Sequence, residues 1–597
     1  MIKEKLRSEI NEKDKWDLTG MYKNIDEFNH MMEEMKKKVA DAKSYKGKIL
    51  ENENTFYDYI ILDEKIDRNL SNLYVYAHLW CDEDSTNADA VKLKMKIEKF
   101  YNDAIEELSF ATPEIISGGY DLIKSYMEKN PKLEQYRFSL EKTFRYEKYT
   151  LSDKEEEIIS KVANAFGTPD EAFYNLDNTD IHLGNIKDEK GRDVELTNSN
   201  YGIYMISPSR EVRKSAFQTM YNFWKKHIHV ASSLLKGNIK ENFFFSKVRG
   251  YSSPLEMSLY KDNIPVSLYK NVINVTHDNM NLLHEYVRLK KDALNLDEMH
   301  MYDIYVPITK EIKKDVSFDE AKDLVLNGLA PLGEQYITDL KQAFDNRWID
   351  KYPNVGKKSG AYQWSTYDSI PHVLLNHTNT IECVSTMAHE LGHAMHSYYS
   401  KKNQSYTYHS YPIFLAEIAS TVNEVLLNDY LYQTAKDIEE KKFYLVEFLD
   451  KVKSTMYRQV QFAEFEMLIH DKEENSVPLT SEELNKTYYQ LNQLYYGESI
   501  VHDEQIQYEW SRIPHFYSSF YVYKYATGLA CALYIANKIL KGDSKMKENY
   551  LEFLSSGGKD YPLEILKNVG IDMNSTEMIQ GAYDLFKEKL EEFKNLK

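Results

Sequence analysis

Helix-breaking residues are scarce in this chain: its 597 residues include only 14 prolines and 22 glycines. Proline removes a backbone donor and glycine loses the most conformational freedom on folding, so a chain poor in both can run in long helices. The hydrophobic fraction of 42% and charged fraction of 28% exclude disordered and fibrous classes. The length carries a prior of roughly four domains' worth of material, enough to bury a large core. One anomaly stands out, an excess of tyrosine at 48 residues.

Lys and Arg total 75 against 94 Asp and Glu, a formal charge of −19. That sign argues against nucleic acid or an anionic membrane surface as the main partner, since both are bound by basic patches. Cys81, Cys383 and Cys531 are odd in number and far apart, so no disulfide framework is expected. The first twenty residues mix both charges without the apolar stretch of a signal peptide, and no eighteen apolar residues run together. Cytoplasmic residence is the resulting expectation.

Periodicity predicts a mainly α fold with minor β. From Trp16 to about Leu176 the pattern is of successive amphipathic helices, one capped by Asn24, another over Lys92–Leu108 with Met95, Ile97, Tyr101 and Ile105 largely on its apolar face. Ile181–Leu183 and Val194–Leu196 read as short strands around a polar turn containing Gly191, which makes this stretch the candidate boundary between regions 1–200 and 201–597. Tyr302–Val306 is a second β-like island. A third spans Ala361–Asn376, where Pro371 beside Val373-Leu374-Leu375 suggests a short or edge strand. Active-site helices are expected over about 381–400 and 412–435.

His389-Glu390-Leu391-Gly392-His393 fits HExxH and sits in an uncharged helical stretch. Histidines four apart share a helix face about 6 Å from one another, so both imidazoles reach one Zn²⁺ at about 2.1 Å, and Glu390 falls beside the open position, where it can take a proton from water. His396 lies about 10.5 Å along the axis from His389, too far for the same ion, and reads as a supporting or packing residue. On the next helix Glu417, Thr421, Glu424 and Asn428 form one polar stripe on an otherwise apolar surface. A solvated face would explain that stripe, and so would a buried face meeting a metal.

The strings HELGHAMHSYYS and FLAEIASTVNEVLLNDYL closely resemble the oligoendopeptidase F family, relatives of thimet oligopeptidase. So do WDLTGMY near the start, RWIDKYPNVGKKSGAYQ and STYDSIPHVLLNHT before the motif, and RIPHFYSSFYVYKYATG near the end. The resemblance implies an elongated multi-helix shell whose two halves enclose a deep channel for oligopeptides, an N-terminal helical domain forming part of its wall, and one catalytic zinc. It implies Glu417 as third ligand and Glu424 as support for a zinc-bound histidine. It further implies that His515 and tyrosines of the following segment face the scissile carbonyl; Tyr517 and Tyr523 are chosen, with Tyr521 as the alternative. Gly360, Ala361 and Tyr362 match the family's edge strand, which pairs with the substrate backbone.

The expected function is therefore a zinc endopeptidase cutting internal bonds of short oligopeptides, with Glu390 as general base. The chain could be a monomer or a homo-oligomer. A peptidyl dipeptidase or carboxypeptidase shares the motif but requires a cationic anchor for a terminal carboxylate, and the sequence points to none. A helical protein that binds peptides without cleaving them is the remote alternative.

Overall fold

The computed structural model describes residues 4–310, 312 and 314–596; Met1–Lys3, which open the expected 1–200 region, lie outside them. The chain is 71% helical, a mainly α fold with five short strands among the described residues. Two compact units emerge, each woven from three chain segments. The first comprises Met1–Lys148, Lys313–Leu431 and Ile535–Ile571; the second comprises Tyr149–Ile312, Tyr432–Tyr534 and Asp572–Lys597. The division expected near residue 200 falls inside the second unit. Its signal was the hairpin β1 (Gly184–Lys187) and β2 (Asp193–Leu196), and this hairpin packs on the helix Arg210–Arg249 of the same unit. The hairpin turn is as read: Asp188 Oδ1 accepts from the Lys190 and Arg192 amides, and Gly191 takes φ +75°. The first strand starts three residues later than its alternation suggests.

In the first unit the helices Ile25–Lys43, Glu53–Glu83 and Ala88–Leu108 pack together, and each begins the same way. Asn24, Asn52 and Asn87 accept from amides of the first turn, satisfying donors that a helix start leaves open. The third helix buries Ala90, Leu93, Ile97 and Ala104, whereas Met95 is 64% and Ile105 55% exposed. At 100° per residue, positions 95 and 105 lie well off the stripe through 90, 93 and 97, so the apolar face is narrower than expected.

The small sheet of this unit has the order β3 (Ile349–Asp350), β5 (His372–Leu374), β4 (Tyr362–Trp364), parallel between β3 and β5 and antiparallel between β5 and β4. Pro371 precedes a central strand rather than an edge one; placed just before the first residue, its missing N–H costs no ladder bond. Asp350 is fully buried and held by Arg7 at 2.5 Å and Lys357 at 2.6 Å. The helix Ile381–Asn403, which carries HExxH, packs on β4 and β5.

The second unit is organised around the 40-residue helix Arg210–Arg249, which ends at Gly250 in the left-handed conformation, φ +81°. The expected island at Tyr302–Val306 is not a strand. Met301–Asp303 forms a 3₁₀ turn in which Asp303, fully buried, accepts from the His300 amide and from Arg213 at 2.7 Å, so local side-chain bonding overrides the alternation.

Gly392, inside the HExxH motif, marks a tight approach of two helices in the first unit. A Cβ there would lie 2.6 Å from Ser420 Cα and 2.8 Å from the Ala419 carbonyl oxygen on the helix Ile413–Gln433. Backbone cannot yield as a flexible side chain can, so Gly392→Ala must push the two helices apart. We expect it to cost about 1–3 kcal/mol of stability, read as a lowered melting temperature, and to weaken metal retention. An unchanged melting temperature would contradict this packing.

Candidate metal centre and active site

The HExxH helix starts after Asn379, a non-glycine residue at φ +60°, with Thr380 in extended conformation as N-cap. Val384, Met387, Ala388, Leu391, Ala394 and Met395 are fully buried, which fixes the helix rotation and leaves His389 and His393 on one half-buried face. The helix Ile413–Gln433 lies against it. The Asn423 amide donates to the Ala388 carbonyl at 3.0 Å and ties the two at the level of the motif.

The polar stripe on the second helix meets the histidines. Glu424 Oε1 is 3.1 Å from His389 Nδ1, a carboxylate partner that favours the tautomer with the proton on Nδ1 and the lone pair on Nε2. Burial, then His389, lower the His393 pKa to about 4, against the opposing effects of Glu417 and the Ala416 backbone. The two Nε2 atoms face each other at 3.2 Å, and Glu417 Oε2 lies 3.7 Å and 3.8 Å from them. Two imidazole nitrogens and a carboxylate oxygen, the latter also accepting from the Ser420 hydroxyl at 3.1 Å, converge on one point. A tetrahedral ion with bonds of about 2.1 Å places its ligand atoms about 3.4 Å apart, and these separations bracket that value. His389, His393 and Glu417 are the one such group of three among the described residues, so the donors fit a metal ion.

Glu390 is 6% exposed and its Oε2 is buried without a hydrogen-bond partner. Burial raises its pKa to about 7, while His389 opposes and Glu417 adds to the shift. The backbone amide of Gln363 on β4 also opposes the shift. In an antiparallel ladder alternate residues point their amides away from the partner, so the free edge of β4 faces the glutamate. Gln363 was not singled out from the sequence; the alternation through Ala361, 363 and 365 was the available signal. Within the expected backbone segment, the Gly360 carbonyl accepts from Asn376 at 2.8 Å and the Tyr362 hydroxyl donates to Asp82 at 2.8 Å. The Gly360 carbonyl is thus held by the loop after β5, and the Tyr362 side chain by the helix Glu53–Glu83, while the Tyr362 backbone pairs with Leu374 of β5.

His396 is fully buried and stacks on Tyr411, with ring centroids 3.5 Å apart and planes 4° from parallel. Burial lowers its pKa well below the usual value, so it is a neutral packing ring rather than a support for the metal ligands. In the second unit, Tyr523 is 1% exposed against Tyr269, and Tyr517 stacks on Phe173 at 4.3 Å. His515 instead pairs with Tyr525, Nε2 to hydroxyl 3.3 Å, and both are half-buried. Tyr525 was overlooked because the sequence offers four tyrosines between 517 and 525 and no internal reason to choose.

One further group sits near the start of the HExxH helix. Cys383 Sγ accepts from the Thr378 amide at 3.4 Å and lies 3.5 Å and 3.6 Å from the Thr378 and Thr380 hydroxyls. The imidazole of His377, followed by these donors, brings its pKa down to about 5, whereas burial raises Cys81 and Cys531. A lowered pKa means thiolate above that pH, so iodoacetamide labelling followed by mass spectrometry should modify Cys383 first, with a rate that levels off by about pH 6. A rate still climbing at pH 8 would be inconsistent with this pairing.

The profile of Peptidase family M3 matches residues 203–585, and that of Oligopeptidase F matches residues 114–182. The Bacillus subtilis protein Oligopeptidase PepF is 37% identical over 590 residues, 99% of this chain and 88% of its own. A crystal structure of oligoendopeptidase-F from Enterococcus faecium superposes with a TM-score of 0.74 at 33% identity, over 96% of this chain and 99% of that one. A solved chain from Chlamydophila abortus reaches 0.95 at 40% identity over the whole of both. Profile matches over most of the sequence and identity along nearly all of it lead to one conclusion: the chain belongs to peptidase family M3, in its oligoendopeptidase F group, and is a metalloendopeptidase.

Proposed function

We propose that the metal is zinc and that the enzyme cuts internal bonds of short oligopeptides with Glu390 as general base. The observation that carries this reading is the convergence of His389 Nε2, His393 Nε2 and Glu417 Oε2 beside the buried, unpaired Oε2 of Glu390. Two neutral imidazoles and one carboxylate are a donor set that suits zinc in a catalytic site with one position left open. Zinc, when bound, polarises the scissile carbonyl and makes water a better nucleophile near neutral pH.

The protein's own groups perform the rest. Glu424 holds the His389 ring in the tautomer a ligand needs. Glu390 takes the proton from the attacking water as the carbon–oxygen bond forms and delivers it to the departing amine as the carbon–nitrogen bond breaks. The free edge of β4 accepts the substrate backbone as an added strand, which gives affinity with little sequence preference. Oxyanion stabilisation falls, by the family resemblance, to the segment from His515 onward. Within that segment the His515–Tyr525 pair supports Tyr525 as the hydroxyl donor, in place of the packed Tyr517 and Tyr523. Three unpaired cysteines favour a reducing compartment, and we assign the enzyme to the cytoplasm. No described helix is long and apolar enough to cross a membrane.

An internally quenched peptide blocked at both ends tests the endopeptidase reading, because an exopeptidase leaves it intact. Glu390→Gln should retain zinc and lose about 10²–10⁴ in kcat, whereas Glu417→Ala should lose zinc on dialysis. Wild-type turnover in the first variant, or full metal content in the second, would remove that residue's assigned role. For the oxyanion, Tyr525→Phe should cut kcat by about 10²-fold with KM little changed, and Tyr523→Phe should leave kcat near wild type. The reverse ranking would return the role to Tyr523.

A further inference from the structure

The second unit holds a cavity of about 340 Å³ between the N-terminal part of the helix Arg210–Arg249, the segment 201–206 and the helical run Glu504–Arg512. Its size is at the lower end of small-molecule sites. Two arginines, Arg458 and Arg512, and one acid, Glu509, lie on its wall.

The acid is spoken for. Glu509 is 2% exposed and accepts from Arg458 Nη2 at 2.7 Å and Nη1 at 3.4 Å, from the Tyr488 hydroxyl at 2.6 Å and from the Tyr221 hydroxyl at 3.2 Å. Four donors occupy the roughly four acceptor sites of a carboxylate. Arg512 is left with a Glu509 oxygen 3.9 Å away, beyond hydrogen-bond range, and its Nε is buried with no acceptor among the described residues. Asp177, the other acid that senses Arg512, is already bonded by the Asn198 amide at 3.1 Å. The guanidinium lies over the Tyr201 ring at 5.2 Å, which fixes its plane. This half-buried fork has a loose ion pair with Glu509 and a buried Nε with no acceptor among the described residues, so a ligand that accepts its hydrogen bonds would be favoured there.

Beside the tyrosines Tyr201, Tyr221 and Tyr305, the remaining walls are apolar, formed by Met205, Phe217, Met301 and Ile506. A bare inorganic anion would satisfy Arg512 and leave these walls wet. One cation that makes no hydrogen bond to the described residues suits one anionic group, and a planar fork matches a carboxylate in particular. We propose that this cavity binds a small molecule joining one carboxylate to an apolar group, the carboxylate on Arg512 and the apolar part against Met205, Phe217, Met301 and Ile506. A free branched-chain acid and the carboxyl end of a peptide finishing in an apolar residue share this chemistry. The inference does not depend on the identity of the metal or of the general base.

Calorimetric titration of the full-length, metal-loaded enzyme tests it. N-acetylleucine should bind with a Kd of about 1 mM or tighter, and N-acetylleucinamide, which lacks the charge, at least about tenfold more weakly. Arg512→Met removes the cation while leaving any binding of the acid at the metal centre in place, so the component lost in that variant reports the cavity. If Arg512→Met folds poorly, Ile206→Trp serves instead: Ile206 is 49% exposed and lines the cavity, so a larger side chain obstructs it without entering the core. Either variant should weaken N-acetylleucine by at least about tenfold. Titration with 4-methylvalerate separates the two sources, since equal affinity indicates a free acid and affinity confined to N-acetylleucine indicates a chain end. Equal binding of acid and amide, or acid binding unaltered in both variants, overturns the proposal.

Discussion

The approach of two helix backbones at Gly392 is the constraint from which the active site follows. Only a residue without a Cβ lets Ser420 of the next helix come so near the HExxH turn. At that separation a short carboxylate side chain from Glu417 reaches both histidines, and Glu424, seven residues on and so on the same face, reaches the back of His389. The bond from Asn423 to the Ala388 carbonyl holds the register of the pair. A helix spacing wider by one methyl group would move the third donor out of range of a bond of about 2.1 Å. The same geometry accounts for the apolar residues around the motif, since interhelical contact this tight leaves no room for water.

The tyrosine excess has a physical explanation in the burial of acids. This chain carries 94 Asp and Glu against 75 Lys and Arg, so its interior acids cannot all be met by cations. Tyrosine hydroxyls share in meeting them: Tyr399 donates to Asp339, and Tyr286, Tyr495 and the pair Tyr221 and Tyr488 donate to Asp450, Glu464 and Glu509 alongside Lys290 and Lys453, His277 and Arg458 respectively. A phenol supplies one donor together with a large apolar ring, so it satisfies a buried carboxylate while contributing to the core. At Glu509 two tyrosines and Arg458 take up the carboxylate, and Arg512 is left with only a loose ion pair to it.

Much of the site was legible in the sequence because its logic is local. Spacing of four along a helix puts His389 and His393 together whatever surrounds them, and the stripe from Glu417 to Glu424 announces one polar face on a helix that is otherwise buried. Asn24 as a cap and Gly191 in a turn are equally local. The failures share a different character. Met95 and Ile105 are apolar yet exposed, because only the neighbouring helices decide how wide a buried face is. Tyr302–Val306 alternates like a strand, but Asp303 bonds to Arg213, ninety residues away in the sequence, and to the amide of His300. The residue that pairs with His515 had to be picked from four tyrosines, and ring packing against Phe173 and Tyr269 removes two of them.

The sequence by itself determined the helical class, the two imidazoles on one face, the glutamate beside them and the polar stripe on the next helix, since each follows from periodicity within one or two helices. Tertiary structure decided which polar atoms are left unsatisfied. That is settled by the burial and pairing of groups hundreds of residues apart: it leaves Glu390 Oε2 and Arg512 Nε without protein partners, gives the Tyr362 hydroxyl to Asp82 and turns the Gln363 amide toward Glu390. It also decided the division into units, because three separated segments must return to each core before either can close.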